Sequence, residues 1–156
     1  NNTAAGLTCT RPPQGERETG VNLKLNPIRS VIEGKRVVLI DDSIVRGTTC
    51  RRTVELLRRA GAKEVHMRIS APPFIAPCFY GTDIDSADGL IANHHTVPEI
   101  ADLIGADSLG YLSLEHAGLL TGEDGGFCMA CFSGDYPTEI PAPGSKSRFE
   151  RRIHEQ

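Results

Sequence analysis

Residues Val37 to Thr49 read Val-Val-Leu-Ile-Asp-Asp-Ser-Ile-Val-Arg-Gly-Thr-Thr. An apolar run feeds two adjacent carboxylates and then a hydroxyl- and glycine-rich turn. Val37, Val38, Leu39 and Ile40 lack the alternation of a half-exposed strand, so a central parallel strand covered on both faces is expected. In open α/β sheets, ligands gather just past the carboxyl ends of such strands. There Asp41 and Asp42 can accept hydrogen bonds from vicinal ribose hydroxyls or face Mg2+, directly or through its waters. Ser43, Gly47, Thr48 and Thr49 supply hydroxyls and a close backbone approach. Thr53, Val54, Leu56, Leu57 and Ala60 then show helical spacing, and a phosphate fits the start of such a helix. An acidic pair alone would more often be a solvated Asp-Asp-Ser turn capping the helix, since Asp and Ser favour turns and caps.

The elements alternate, which sets the fold class as α/β. A helix is expected from Thr48 or Thr49 to about Ala60. Glu64 to Ser70 alternates Val65, Met67 and Ile69 with His66, Arg68 and Ser70, a strand with one better-buried face reached by a βαβ crossover. Gly89 to Asn93 reads as a short strand, Val97 to Ile104 as a helix with Pro98 in its first turn, and Ser108 to Ser113 as another strand. Gly122 to Gly126 reads as a loop, and Pro141 to Ser147 begins a Pro/Gly/Ser-rich tail.

The thirteen-residue string as a whole resembles the phosphoribosyl-diphosphate signature of type I phosphoribosyltransferases, in which the paired acids hold the ribose and the following loop holds its 5′-phosphate. The segments Gln14 to Arg29, Ala60 to His66, Pro72 to Asp83, Ile104 to Leu109 and Cys128 to Ile140 resemble the carboxyl-terminal half of the glutamine phosphoribosyl-diphosphate amidotransferases. The resemblance runs from Thr10 to Ile140. It implies a type I phosphoribosyltransferase fold, a mostly parallel sheet flanked by helices, present as a partial domain. The implied reaction transfers ammonia from glutamine to phosphoribosyl diphosphate, giving phosphoribosylamine, diphosphate and glutamate in the first committed step of purine synthesis.

The same resemblance divides the chain. Residues 1–30 would end an upstream transferase region and carry a flexible catalytic loop, residues 31–115 the phosphoribosyltransferase core, and residues 116–156 a cysteine-containing segment and tail. The family's glutaminase domain, part of its Mg2+ site and one cluster ligand lie upstream of everything matched. The chain is therefore expected to be a fragment, inactive in the glutamine-dependent reaction. Within the first segment, Pro12, Pro13, Gly15 and Gly20 with interspersed Arg and Lys predict a mobile loop, and the family's loop here closes over the diphosphate. Lys24 and Arg17 are its candidate catalytic residues. Leu7-Thr8-Cys9-Thr10 departs from the Arg-Thr-Phe-Ile usual in the family.

Resemblance assigns phosphoribosyl-diphosphate binding to Asp41, Asp42, Ser43, Arg46, Gly47, Thr48 and Thr49, with Asp41 and Asp42 also facing Mg2+. Ile44 and Val45 are expected to anchor the loop or border the ribose, providing shape rather than chemistry. Cys128-Met129-Ala130-Cys131 has the spacing that brings two thiolates to one metal, which alone suits zinc or redox chemistry equally well. With Cys78 in Pro77-Cys78-Phe79-Tyr80-Gly81, it resembles three of four thiolate ligands of the 4Fe-4S cluster in the family's iron–sulfur branch. The fourth ligand would lie outside this chain. Cys9 and Cys50 match no ligand position and read as ordinary reduced thiols, and His94-His95 as surface histidines, because adjacent side chains diverge.

Composition bears mainly on compartment and partners. In 156 residues, 17 Lys and Arg oppose 20 acidic residues, and a net charge of −3 argues against general affinity for nucleic acid. Without a secretory signal or an apolar run that could span a bilayer, the cytoplasm is the expected compartment, and the five cysteines point to metal or free thiols before disulfides. Purine nucleotides are the inhibitors and a homotetramer the assembly that the resemblance implies. A nucleobase-salvage phosphoribosyltransferase or a sugar-phosphate-sensing regulator would share the signature but not the cysteine blocks.

Overall fold

The computed structural model describes residues 27–84, 86–120 and 127–140. In chain order these form α1 (Arg29–Ile32), β1 (Arg36–Asp41), α2 (Thr48–Arg59), β2 (Glu64–Ile69), a 3-10 turn (Ile91–Asn93), α3 (Val97–Ile104), β3 (Ser108–Tyr111), α4 (Leu114–Leu119) and α5 (Ala130–Ser133). The three strands make a parallel sheet in the order β1-β2-β3. Parallel strands need crossovers, and α2 and α3 supply them.

Register aligns Val37 with Val65, Leu39 with Met67 and Asp41 with Ile69, so these side chains share one sheet face. On that face α2 buries Cys50, Val54 and Leu57, a helical i, i+4, i+7 stripe, and α3 buries Ile100, Ala101 and Ile104. Val65 and Met67 are fully buried, each worth roughly 1.5–3 kcal/mol of transfer free energy. Arg58 in the last turn of α2 donates to Asp107 at 2.6 Å, and Asp107 also accepts the Val65 N–H at 2.6 Å, so one carboxylate fastens helix end to strand start. The start of α3 is set by a Thr96–Glu99 capping box, with the Thr96 N–H donating to Glu99 at 2.7 Å, and Pro98 stands in its first turn as expected.

Three expectations are corrected. β1 is an end strand of the described sheet and is covered on one face only, leaving Val38 and Ile40 62% and 73% exposed. The opposite face carries Glu64, His66 and Arg68 of β2, linked in a polar ladder in which His66 pairs with Glu64 at 3.0 Å and with Ser108 at 2.9 Å. A run of apolar residues cannot reveal which flank is filled by other parts of a protein. Second, Gly89 to Asn93 is a turn followed by the 3-10 turn. The Leu90 N–H donates to Ala87 O and the Asn93 N–H to Leu90 O, while the Asn93 side chain donates to the Ile75 and Ala87 carbonyls, so local bonds replace a ladder. Third, the last strand stops at Tyr111, because the next residues turn into α4, whose N-cap is Ser113.

A second, smaller core gathers Phe74, Cys78, Ile84 and Leu90, with Val45, Cys131 and Phe132 packed against it. The segment around α5 folds onto the residues following β2: the Ile75 and Ala76 N–H groups donate to Cys131 O at 2.9 and 3.2 Å, and the Phe74 and Phe132 rings lie 4.7 Å apart.

Candidate functional site

β1 delivers Asp41 and Asp42 to the carboxyl end of the sheet. The Ser70 N–H donates to Asp41 O at 3.0 Å, which ties the end of β2 beside it. The two carboxylates differ. Asp41 is half-buried; its Oδ1 accepts the Asp42 N–H at 3.0 Å and its Oδ2 faces the Cys50 thiol at 3.8 Å. Asp42 is exposed and takes only the Ser43 hydroxyl, at 3.2 Å, among the described residues.

The loop that follows is pinned at both of its apolar residues, as expected. Ile44, 2% exposed, enters the main core, and Val45 packs on the second core while its carbonyl accepts the Ile91 N–H at 2.9 Å. Gly47 is the N-cap of α2 with φ of 76°, and a Cβ there would meet Ile91 at 3.0 Å and Ile104 at 3.4 Å. Both the left-handed angle and the space demand glycine. The sequence led to glycine here through a close ligand approach or a costly backbone angle; the angle is observed, and the crowding comes from the protein's own core.

With glycine as N-cap, no side chain caps α2. Its first-turn N–H groups, around exposed Thr48 and Thr49, are left to other partners, and the helix dipole adds partial positive charge there. Arg46 is exposed and leans on Gly89, where a Cβ would stand 3.2 Å from its Nε. An open groove of ≈ 340 Å3 flanks the loop between Arg46, Gly47 and Thr48 on one side and Gly89, His94 and Leu103 on the other. Asp41 and Asp42 do not line it. His94 and His95 are exposed, as expected. Lys24 and Arg17 lie outside the described residues, and so do Gly122 to Gly126, the tail from Pro141 and the mobile loop expected from Arg11 to Arg29, apart from residues 27–29, where Arg29 opens α1.

The cysteines form a second neighbourhood. Cys78 is buried; burial acts to raise its thiol, but N–H groups at Thr82, Tyr80 and Gly81 outweigh this and hold it below its ordinary value, with Thr82 donating to Sγ at 3.3 Å. Burial pushes the half-buried Cys131 up, and the nearby Cys78 adds to this, as Cys128 does more weakly. Tyr136 closes the region by donating to Pro77 O at 2.6 Å and packing its ring 5.2 Å from Phe79. Among the described residues, no three His, Cys, Asp or Glu side chains gather closely enough to hold one metal ion.

Sequence reasoning missed two ties: Cys50 to Asp41, and Tyr136 to Pro77. The first had a signal, since the third residue of a helix that follows a strand by a tight loop can face back onto that strand's end. The second, spanning 59 residues, had none.

Comparison with known proteins agrees with this fold. Residues 9–71 match the family described as phosphoribosyl transferase domain. The chain is 55% identical over 149 residues to an amidophosphoribosyltransferase of Synechocystis, covering 95% of this chain and 30% of that protein. It is 54% identical over 146 residues to the Bacillus subtilis amidophosphoribosyltransferase, covering 89% and 30% respectively. It also superposes on the glutamine phosphoribosylpyrophosphate amidotransferase of B. subtilis, solved with ADP and GMP, with a TM-score of 0.71, 53% identity, and coverage of 90% of this chain and 32% of that one. The chain thus spans about 30% of the length of these curated relatives. No helix among the described residues is long and apolar enough to cross a membrane. The parallel sheet flanked by helices is that of a type I phosphoribosyltransferase fold, and over most of its own length the chain is similar to the amidophosphoribosyltransferases.

Proposed function

We propose that this chain supplies the sugar-phosphate half of an enzyme that transfers ammonia, released from glutamine elsewhere in the whole protein, to phosphoribosyl diphosphate in purine synthesis. The observation that carries this reading is the uncapped start of α2 at Gly47, Thr48 and Thr49, directly after the Asp41–Asp42 pair. First-turn N–H groups and the Thr48 and Thr49 hydroxyls receive the 5′-phosphate, with Ser43 and Arg46 bordering it, while Asp41 accepts the ribose hydroxyls. Ammonia's lone pair forms the bond to the anomeric carbon as the carbon–oxygen bond to diphosphate breaks. Diphosphate leaves with the electron pair, and the new ammonium loses a proton. Lys24 and Arg17 neutralise the leaving oxygens.

Exposed Asp42, with Asp41, fits Mg2+ by donor chemistry, since hard cations take carboxylate oxygen and Asp42 Oδ2 has no protein partner among the described residues. Bound there, Mg2+ would offset charge on the diphosphate. The N–H groups aimed at Cys78 fit a thiolate ligand, and Cys131 lies near both Cys78 and Cys128, so these three fit an iron–sulfur cluster by donor type. The set is not closed in the described residues; because glycosyl transfer requires no electron transfer, the role such a cluster would have is structural or a control of lifetime. Serine at Cys78, Cys128 or Cys131 in the whole protein should each lower iron and sulfide content; full content in all three variants would sink the assignment.

The same reading makes the whole protein a cytoplasmic homo-oligomer, a homotetramer, inhibited by purine nucleotides, with no nucleic acid or membrane partner. The B. subtilis relative was solved with ADP and GMP, which supports nucleotide control. The test is phosphoribosylamine formation by the whole protein with ammonia in place of glutamine. Wild type should be active and Asp42→Asn strongly impaired; equal rates would refute the reading.

A further inference from the structure

The buried thiol of Cys50 stands behind the acid pair. It is 3% exposed, lies in the first turn of α2 on the face turned to the sheet, and reaches Asp41 Oδ2 at 3.8 Å, within the longer range of a sulfur donor. Asp41 Oδ1 is held separately by the Asp42 N–H at 3.0 Å. A carboxylate's last torsion is broad and roughly two-fold, so an aspartate at a strand end has no preferred plane of its own. Two donors on two different oxygens define that plane. Near Cys50 the Tyr111 hydroxyl is buried and has no hydrogen-bond partner among the described residues.

We infer that Cys50 is a positioning residue for the sugar-phosphate site, its S–H fixing the Asp41 carboxylate so that the free lone pairs on both oxygens face the ribose hydroxyls. This rests on the reading of Asp41 as the ribose ligand. The thiol must stay protonated to donate, and an ordinary cysteine thiol is S–H at neutral pH. Holding the acceptor in place before substrate arrives lowers the ordering cost of binding, so the effect belongs to substrate affinity more than to turnover.

Alanine and serine at position 50 remove nearly the same volume and differ by one hydroxyl donor, so a packing role would move them together. The experiment measures KM for phosphoribosyl diphosphate and kcat in the ammonia-dependent reaction of the whole protein, for Cys50→Ala and Cys50→Ser, each with Asp41 and with Asp41→Asn. With Asp41 present, Cys50→Ala should raise KM roughly three- to tenfold with little change in kcat, and Cys50→Ser should recover most of that loss. In the Asp41→Asn background the difference between the two should vanish. Equal KM values for Ala and Ser beside Asp41, or a difference that survives Asp41→Asn, would overturn the positioning role while leaving Asp41's own role standing. A silent Asp41→Asn would sink both.

Discussion

The loop after β1 and the cysteine region are both fastened to apolar cores, but by different kinds of contact. The loop is continuous chain: strand, acid pair, turn and helix follow within Arg36 to Arg59, and Ile44 and Gly47 lock it from inside. The cysteine region is assembled from afar, with residues 74–84 meeting residues 127–136 through Cys131 O, the Phe74–Phe132 contact and the Tyr136–Pro77 bond. The first leaves backbone N–H groups open for a ligand. The second turns N–H groups onto a sulfur. A contiguous site can be rigid because its own backbone geometry fixes it, whereas an assembled site depends on a few long-range bonds.

Breaking the first region at its least replaceable point should have the largest effect. Gly47→Val combines a left-handed angle with contact against Ile91 and Ile104, and should cost about 3 kcal/mol or more in denaturant unfolding of the whole protein. A loss below about 1 kcal/mol would mean the loop gives way more easily than its packing implies. Next, Asp42→Asn should lower kcat/KM for phosphoribosyl diphosphate by roughly 10- to 100-fold with almost no change in stability, since its side chain touches little but Ser43. A matching loss of stability would move Asp42 from the site to the scaffold.

The assembled region should respond more mildly and elsewhere. Tyr136→Phe deletes one donor to Pro77 O and should cost about 1 kcal/mol. Limited proteolysis should show faster cleavage around residues 127–136 with phosphoribosyl-diphosphate affinity unchanged. A change in that affinity would show the two regions are coupled. Thr49→Val, which keeps shape and removes one exposed hydroxyl, should weaken phosphate binding by roughly 0.5–1 kcal/mol in a titration, without effect on iron content.

The smallest effect concerns pH. The Val65 N–H, ahead of the Arg58 guanidinium, holds Asp107 below the ordinary carboxylate range. A group lowered on folding contributes stability that is present above its unfolded pKa and is lost as pH falls through its folded value. Wild type and Asp107→Asn should therefore converge in stability below about pH 4 and separate above it, as read from unfolding midpoints. Parallel curves would deny Asp107 this role.

Much of the first region could be read from sequence because its signals are local. The strand ends in acids, Thr48 to Arg59 carries its apolar stripe at helical spacing, and Thr96 with Pro98 and Glu99 marks a helix start by side-chain chemistry alone. What failed was context. Val38 and Ile40 look like core in the chain yet face outward on an end strand, because burial depends on what lies alongside. Gly89 to Asn93 holds apolar residues typical of a strand, but Asn93 binds two carbonyls and winds the segment into a turn. Cys50 looked idle because its partner is nine residues away across a helix start.

Hydrogen exchange on the whole protein, with and without phosphoribosyl diphosphate and Mg2+, tests the central claim most directly. The uncapped N–H groups at the start of α2 should exchange readily in the free protein and become protected on binding, with protection concentrated in residues 43–50 and little change in residues 127–136. Saturating ligand that leaves residues 43–50 unprotected would contradict the assignment of this loop as the phosphate site.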